Sequence, residues 1–145
     1  MKKYDFQISD NINGFYEWNK NRFMKLDKKR TDKFKKFKSK NGFYPDETWS
    51  LYHNIAMFVL PRLKYFRDKT IGIPPCFETL EEWKQILDKI IFSFETCFED
   101  DYFEVPKKYL KRYKGKDKET AWKLYCKEVN EGFELFGKYF LNLWW

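Results

Sequence analysis

His53 is the single histidine of the chain, so proton transfer by imidazole would have to start there. A histidine base needs a nucleophile or an orienting carboxylate within hydrogen-bond reach. Asp46, Glu47 and Asn54 are near in sequence. We assign His53 no Ser or Cys partner and read it as a surface or satisfied side chain beside a helical apolar stripe. Asp46, Glu47, Glu81, Glu82 and Asp88 are oxygen donors of the type that holds Mg²⁺, yet carboxylates in a first helical turn are favoured by the helix dipole alone. Three cysteines, Cys76, Cys97 and Cys126, form no Cys-x-x-Cys pair and stand beside one histidine. That excludes a Cys/His zinc set and argues against a disulfide framework. They read as buried small residues of a protein in a reducing cytosol. Glu99, Asp100, Asp101 and Glu104 lack the ligand spacing of an EF-hand and read as a solvated loop that attracts the basic segment of residues 20–40. Gly14, Gly42, Gly72, Gly115, Gly132 and Gly137 are isolated, so no phosphate loop or dinucleotide fingerprint can be built. The expectation is a protein without catalytic residues, metal or cofactor.

Binding chemistry is better represented. Residues 20–40 hold eleven Lys or Arg against Asp27 and Asp32, a local net of +9, while the whole chain carries +7. The positive excess therefore lies in this one segment. Arg22, Lys25, Lys28, Lys29, Arg30, Lys33, Lys35 and Lys36, interleaved with Phe23, Phe34 and Phe37, are the candidate contacts. Cations neutralise phosphates and rings stack on bases, so a nucleic acid or nucleotide fits, as does an acidic protein. The competing reading is a solvated helix face in a lysine-rich chain. Arg62, Lys64 and Arg67, close to Pro61, are a second candidate anion site.

These residues must be positioned by helices. Thr79 with Glu82 makes a capping box after Pro74-Pro75, and Trp83, Ile86, Leu87, Ile90, Ile91 and Phe94 follow helical spacing, which predicts a helix over 80–98. A second is predicted over 47–67, capped by Asp46, with Trp49, Tyr52, Ala56, Val59, Leu63 and Phe66 on its apolar face and a kink at Pro61. A third is predicted over 119–143, approached through Gly115 and Asp117, with Trp122, Tyr125, Val129, Phe133, Phe136, Phe140 and Leu143 inward. Gly132 and Gly137 interrupt it at about 1 kcal/mol each relative to Ala, so both should mark close packing. Residues 20–38 form a shorter candidate helix closed by Asn41-Gly42. Residues 99–116 read as a loop, and residues 4–18 as a strand or extended arm.

With 145 residues, 22% aromatic, the chain suits one domain over 1–145 with an aromatic core. The expected fold is all-α: a compact bundle of three long helices plus one or two short ones, with room for a small N-terminal strand pair. No apolar run approaches the roughly 20 residues that span a bilayer, and no signal peptide is seen, so a cytoplasmic protein without a membrane partner is expected. Trp144 and Trp145 are too apolar to be left in water and should dock or form an interface, a homodimer among the options.

Asn41-Gly42-Phe43-Tyr44-Pro45, then Asp46-Glu47-Thr48-Trp49-Ser50-Leu51, then Leu60-Pro61-Arg62-Leu63-Lys64 and Glu81-Glu82-Trp83, resembles a widespread set of small uncharacterised proteins of tailed bacteriophages and prophages. The closing Glu131-Gly132-Phe133-Glu134-Leu135-Phe136 is similar to that set as well. The likeness covers roughly residues 41–98 and 131–145. It implies a phage origin and a helical fold, but brings no activity. On that footing the expected function is a non-enzymatic phage accessory protein that binds a host protein, as in counter-defence. The alternative is a nucleic-acid or nucleotide binder using residues 20–40.

Overall fold

The computed structural model describes residues 28–43, 48–99 and 103–144. Every regular element among them is helical and none is a strand, so the fold is all-α as expected. In order they are α1 (Lys28–Asn41), α2 (Leu51–Lys69), α3 (Leu80–Thr96), a 3₁₀ segment (Lys107–Tyr113), α4 (Lys118–Lys138) and a 3₁₀ turn (Phe140–Asn142). The chain groups into two units, residues 1–58 and 59–145, with the division inside α2. The expected N-terminal strand pair lies outside the described residues, as do residues 20–27 of the helix predicted over 20–38.

In the first unit, α1 carries a single acidic residue, Asp32, and ends at a left-handed glycine, as Asn41-Gly42 indicates. Gly42 has φ 82° and its N–H donates to the Lys38 carbonyl at 2.7 Å. Asn41 Nδ2 donates to the Phe37 carbonyl at 2.8 Å, which satisfies another of the carbonyls a helix end leaves open. Helix α2 starts at Leu51 rather than 47. Its predicted Asp46 cap lies outside the described residues. The predicted apolar face needs correction too. Ala56 and Leu63 are buried, but Trp49 is 82% exposed and Tyr52 is also exposed. Burial on α2 is confined to a narrower strip, and the rings at its start point to water. Pro61 sits within α2 and supplies no N–H to the Met57 carbonyl.

In the second unit, α3 opens on the predicted capping box. Glu82 N–H donates to Thr79 Oγ1 at 3.2 Å, and Thr79 N–H returns to Glu82 Oε2 at 3.3 Å. Two otherwise unpaired donors are satisfied at once. Trp83, Leu87, Ile90, Ile91 and Phe94 are buried, and Phe92 and Ser93 are buried beside them. A helix buried on so wide an arc needs more than one neighbour. Helix α4 runs antiparallel to α3: Lys89 Nζ meets Glu131 Oε1 at 2.6 Å, Ser93 Oγ donates to the Val129 carbonyl at 2.8 Å, and Trp83 meets Tyr139 with centroids 5.7 Å apart. A second neighbour is the 3₁₀ segment. The sequence predicted a loop there, but Tyr109 and Tyr113 are buried with Phe92, Val105, Ala121 and Tyr125. The basic run disguises two inward rings.

Helix α4 is capped by Asp117, whose Oδ1 accepts from Thr120 N–H at 2.9 Å. That backbone bond favours the carboxylate and holds Asp117 below the usual range. The helix ends at Lys138, short of the predicted 143. Beyond it Tyr139 is buried against Phe77 and Trp83, while Phe140 and Leu141 are exposed. Of the predicted face, Tyr125 is buried, but Phe133 and Phe140 are exposed. The buried line shifts to Ala121, Tyr125, Gly132 and Tyr139. Gly132 marks a close crossing, as expected. Gly137 does not: a Cβ there would meet nothing within 4 Å.

Candidate functional site

The basic segment is described from Lys28 onward. Arg22 and Lys25 lie outside the described residues, and of Lys28, Lys29 and Arg30 only the α1 backbone is described. Lys33, Lys35 and Lys36 are exposed. Lys33, Lys36 and Lys40 follow i, i+3, i+7 spacing and share one helical face with Phe37, while Lys35 is set apart. The Phe37 ring stands edge-on to Phe43 with centroids 5.5 Å apart.

Phe43 leads to a feature that the sequence reading missed. With Thr48, Leu51, Asn54, Ile55 and Phe58 it lines an open groove of about 400 Å³. Leu51, Ile55 and Phe58 are 54%, 45% and 50% exposed and follow i, i+4, i+7 spacing, so they form one row on α2. Residues 48–58 contain no Asp, Glu, Lys or Arg. Their apolar composition was visible, but the sequence reading placed Trp49, Tyr52 and Ala56 on the apolar face of this helix and gave Leu51, Ile55 and Phe58 no role. His53, half-buried on this stretch, lies edge-on to Tyr52 at 6.3 Å.

The second candidate anion site is differently disposed. Lys64 Nζ is 2.5 Å from Glu95 Oε1. Arg67 donates twice to Asp88, from Nε to Oδ1 and from Nη2 to Oδ2, each at 2.8 Å. The hydrogen bonds to Asp88 push the Arg67 guanidinium further up. Both cations therefore already face carboxylates of α3, and an anion would have to displace these. Arg62 is half-buried. Asp88, weighed as a metal ligand, is instead a guanidinium partner, and Glu82 serves the cap. Among the described residues no three His, Cys, Asp or Glu come together as a metal group.

The cysteines are free thiols. Cys97 and Cys126 are half-buried and burial pushes both thiols up, but Cys76 is exposed, which corrects the expectation of three buried residues. It sits in the turn in which the Phe77 N–H donates to the Pro74 carbonyl at 3.0 Å. Glu99 pairs with Lys108 of the 3₁₀ segment, so at least that member of the acidic run is engaged locally. Asp100 and Asp101 lie outside the described residues. Trp144 is 53% exposed and Trp145 lies outside the described residues.

The tyrosine cluster is a packing site rather than a reactive one. Tyr109 and Tyr125 centroids are 6.0 Å apart, Tyr113 and Tyr125 6.4 Å, and Arg112 lies 4.3 Å over the Phe92 ring while its Nη2 meets Glu128 at 2.8 Å. Burial, the largest cause, pushes all three phenols up; the Glu128 carboxylate adds to this at Tyr113, and Tyr125 reaches about 12. These phenols are poor acids at neutral pH. A folded pKa above the unfolded value of about 10 stabilises the fold below pH 10, and that contribution is lost as pH rises toward 12. Tyr125 is expected to contribute to this alkaline loss. Urea melts between pH 9 and 12 should show the decline, and Tyr125→Phe should flatten it. An unchanged slope in that variant would rule out the assignment.

Compared with known protein families, curated proteins and solved structures, the chain finds no match.

Proposed function

We propose that the chain is a non-enzymatic binding protein whose partner is another protein, docked on the exposed apolar row of α2. A solvated helix face is ordinarily polar, whereas Leu51, Ile55 and Phe58 stand about half exposed in one line, and contiguous apolar surface of this kind favours association. In the phage setting implied by residues 41–98 and 131–145, the partner is a host protein, inhibited or redirected in counter-defence, and the site of action is the host cytoplasm. Among the described residues no helix is long and apolar enough to cross a membrane.

The test is affinity capture from host cells with the unaltered chain and with Ile55→Asp. A partner retained by the first and lost with the second supports the reading; equal capture by both, or none by either, ends it. Helical circular dichroism of the variant should be unchanged, since the side chain faces water. A second reading rests on the exposed Lys33, Lys35 and Lys36. A nucleic acid held there would weaken steeply between about 50 and 200 mM salt, as release of counterions requires.

A further inference from the structure

We infer that the groove of the first unit takes an acidic amphipathic helix, apolar anchors down and carboxylates toward α1. This rests on the docking reading above and specifies its partner. Two surfaces of opposite character adjoin there. The groove lined by Phe43, Leu51, Ile55 and Phe58 belongs to a stretch, 48–58, with no formally charged side chain. It can hold apolar side chains and offers an ion no opposite charge, only the polar Thr48 and Asn54. Phe43 also touches Phe37, and Phe37 shares its helical face with Lys33, Lys36 and Lys40. All three lysines are exposed, and α1 has only Asp32 to offset them. A ligand seated on the apolar row thus meets a row of ammonium groups along one flank. A helix with anchors at i, i+4 and i+7 matches the spacing of Leu51, Ile55 and Phe58, and Glu or Asp beside the anchors would meet the lysines. Charge complementarity of this kind sets orientation and speeds encounter more than it adds affinity. A nucleic acid also fits the lysines and can stack on Phe43 and Phe58, but Leu51 and Ile55 between them offer it only aliphatic surface, so an oligonucleotide is the competing probe.

The experiment uses the full chain and four labelled probes in fluorescence anisotropy. One is a stapled helical peptide of about 20 residues with Leu in one stripe and Glu elsewhere. The second replaces Glu by Lys. The third scrambles the first so that no apolar face remains. The fourth is a single-stranded oligonucleotide of similar length. The acidic amphipathic peptide should bind at least about tenfold more tightly than each of the others. Ile55→Asp, and separately the triple change Lys33→Glu, Lys36→Glu, Lys40→Glu, should each weaken it about tenfold or more with helical content retained. Ile55→Gln, a milder change, guards against misfolding and should also weaken it. Smaller differences overturn the inference: equal binding of the scramble would mean charge alone, equal binding of the basic peptide apolar contact alone, and preference for the oligonucleotide a nucleic-acid surface. A dimer by sedimentation that Ile55→Asp splits, with no peptide bound, would make a second copy the occupant. If a host protein is captured in an Ile55-dependent way but the acidic peptide does not bind, this inference falls and the docking reading stands. If the peptide binds in an Ile55-dependent way and no host protein is captured, the groove's preference for an acidic helix stands and only the host protein as its partner falls.

Discussion

Gly132→Ala should destabilise the second unit by about 2–3 kcal/mol, although alanine is the better helix former. An added Cβ would lie 2.0 Å from Ser93 Oγ, 2.4 Å from the Lys89 carbonyl oxygen and 2.9 Å from Ser93 Cβ. The propensity gain of Gly to Ala is about 1 kcal/mol. Against it stand overpacking, which typically costs about 1–3 kcal/mol and more where backbone must move, and loss of the buried Ser93–Val129 hydrogen bond, about 1 kcal/mol more. The backbone contact decides the sign. Ser93 can change its rotamer, but the Lys89 carbonyl belongs to α3 and can only retreat if the two helices separate. Hence Ser93→Ala combined with Gly132→Ala should recover part of the loss and not all of it. Gly137→Ala is the control. That position is exposed and a Cβ there meets nothing, so the same substitution should stabilise by up to about 1 kcal/mol. Urea melts followed at 222 nm measure all four proteins. Equal effects at Gly132 and Gly137 would refute the close crossing.

The two glycines show what a sequence conveys and what it withholds. Both interrupt the same apolar pattern, yet only Gly132 has a helix backbone opposite it. Local signals were legible because their physics is local: Thr79 with Glu82 caps α3 within one turn, and Asn41-Gly42 closes α1 through the glycine's own φ. Helix faces were legible where the apolar stripe is broad, as on α3. They were misread where apolar residues outnumber the space available to bury them. On α2 the spacing of Trp49, Tyr52 and Ala56 matched a core stripe, but only Ala56 is inside. Periodicity reports that a helix has an apolar face; it cannot report whether this chain supplies the neighbour. The exposed row Leu51, Ile55 and Phe58 lay outside the predicted face and was given no role, and Tyr109 and Tyr113 were missed because four lysines and an arginine from Lys107 to Lys114 made the segment look solvated. The charge of the basic segment was legible in the sequence itself. Its pairing with an apolar groove depends on the Phe37–Phe43 contact, which no charge count reveals.

Trp83→Ala should cost about 3–5 kcal/mol, the range for truncating a fully buried aromatic side chain. Trp83 is wholly inaccessible, one turn inside the capping box. Its ring meets Phe77 at 5.4 Å and Tyr139 at 5.7 Å, and Phe77 meets Tyr139 at 5.2 Å, so the three close a triangle. One vertex precedes α3, one lies in its first turn and one follows α4. Removing the indole therefore acts on two helix ends at once: the approach to α3 loses its anchor and Tyr139 loses the surface that turns it inward. A domain of ordinary stability has only about 5–15 kcal/mol to lose. Trp83→Phe should cost clearly less, because a smaller ring keeps part of the triangle. Leu141, exposed beyond the turn, gives the contrast, and Leu141→Ala should change stability by under about 0.5 kcal/mol. The location of the damage is as diagnostic as its size. Hydrogen exchange should accelerate most at Tyr139 N–H, which is bonded to the Leu135 carbonyl at 2.9 Å, and at the first turn of α3. Protection near Tyr125, at the opposite end of the α3–α4 pair, should fall only as far as global stability does. Uniform acceleration along α4 would mean that Trp83 supports the core as a whole rather than this junction.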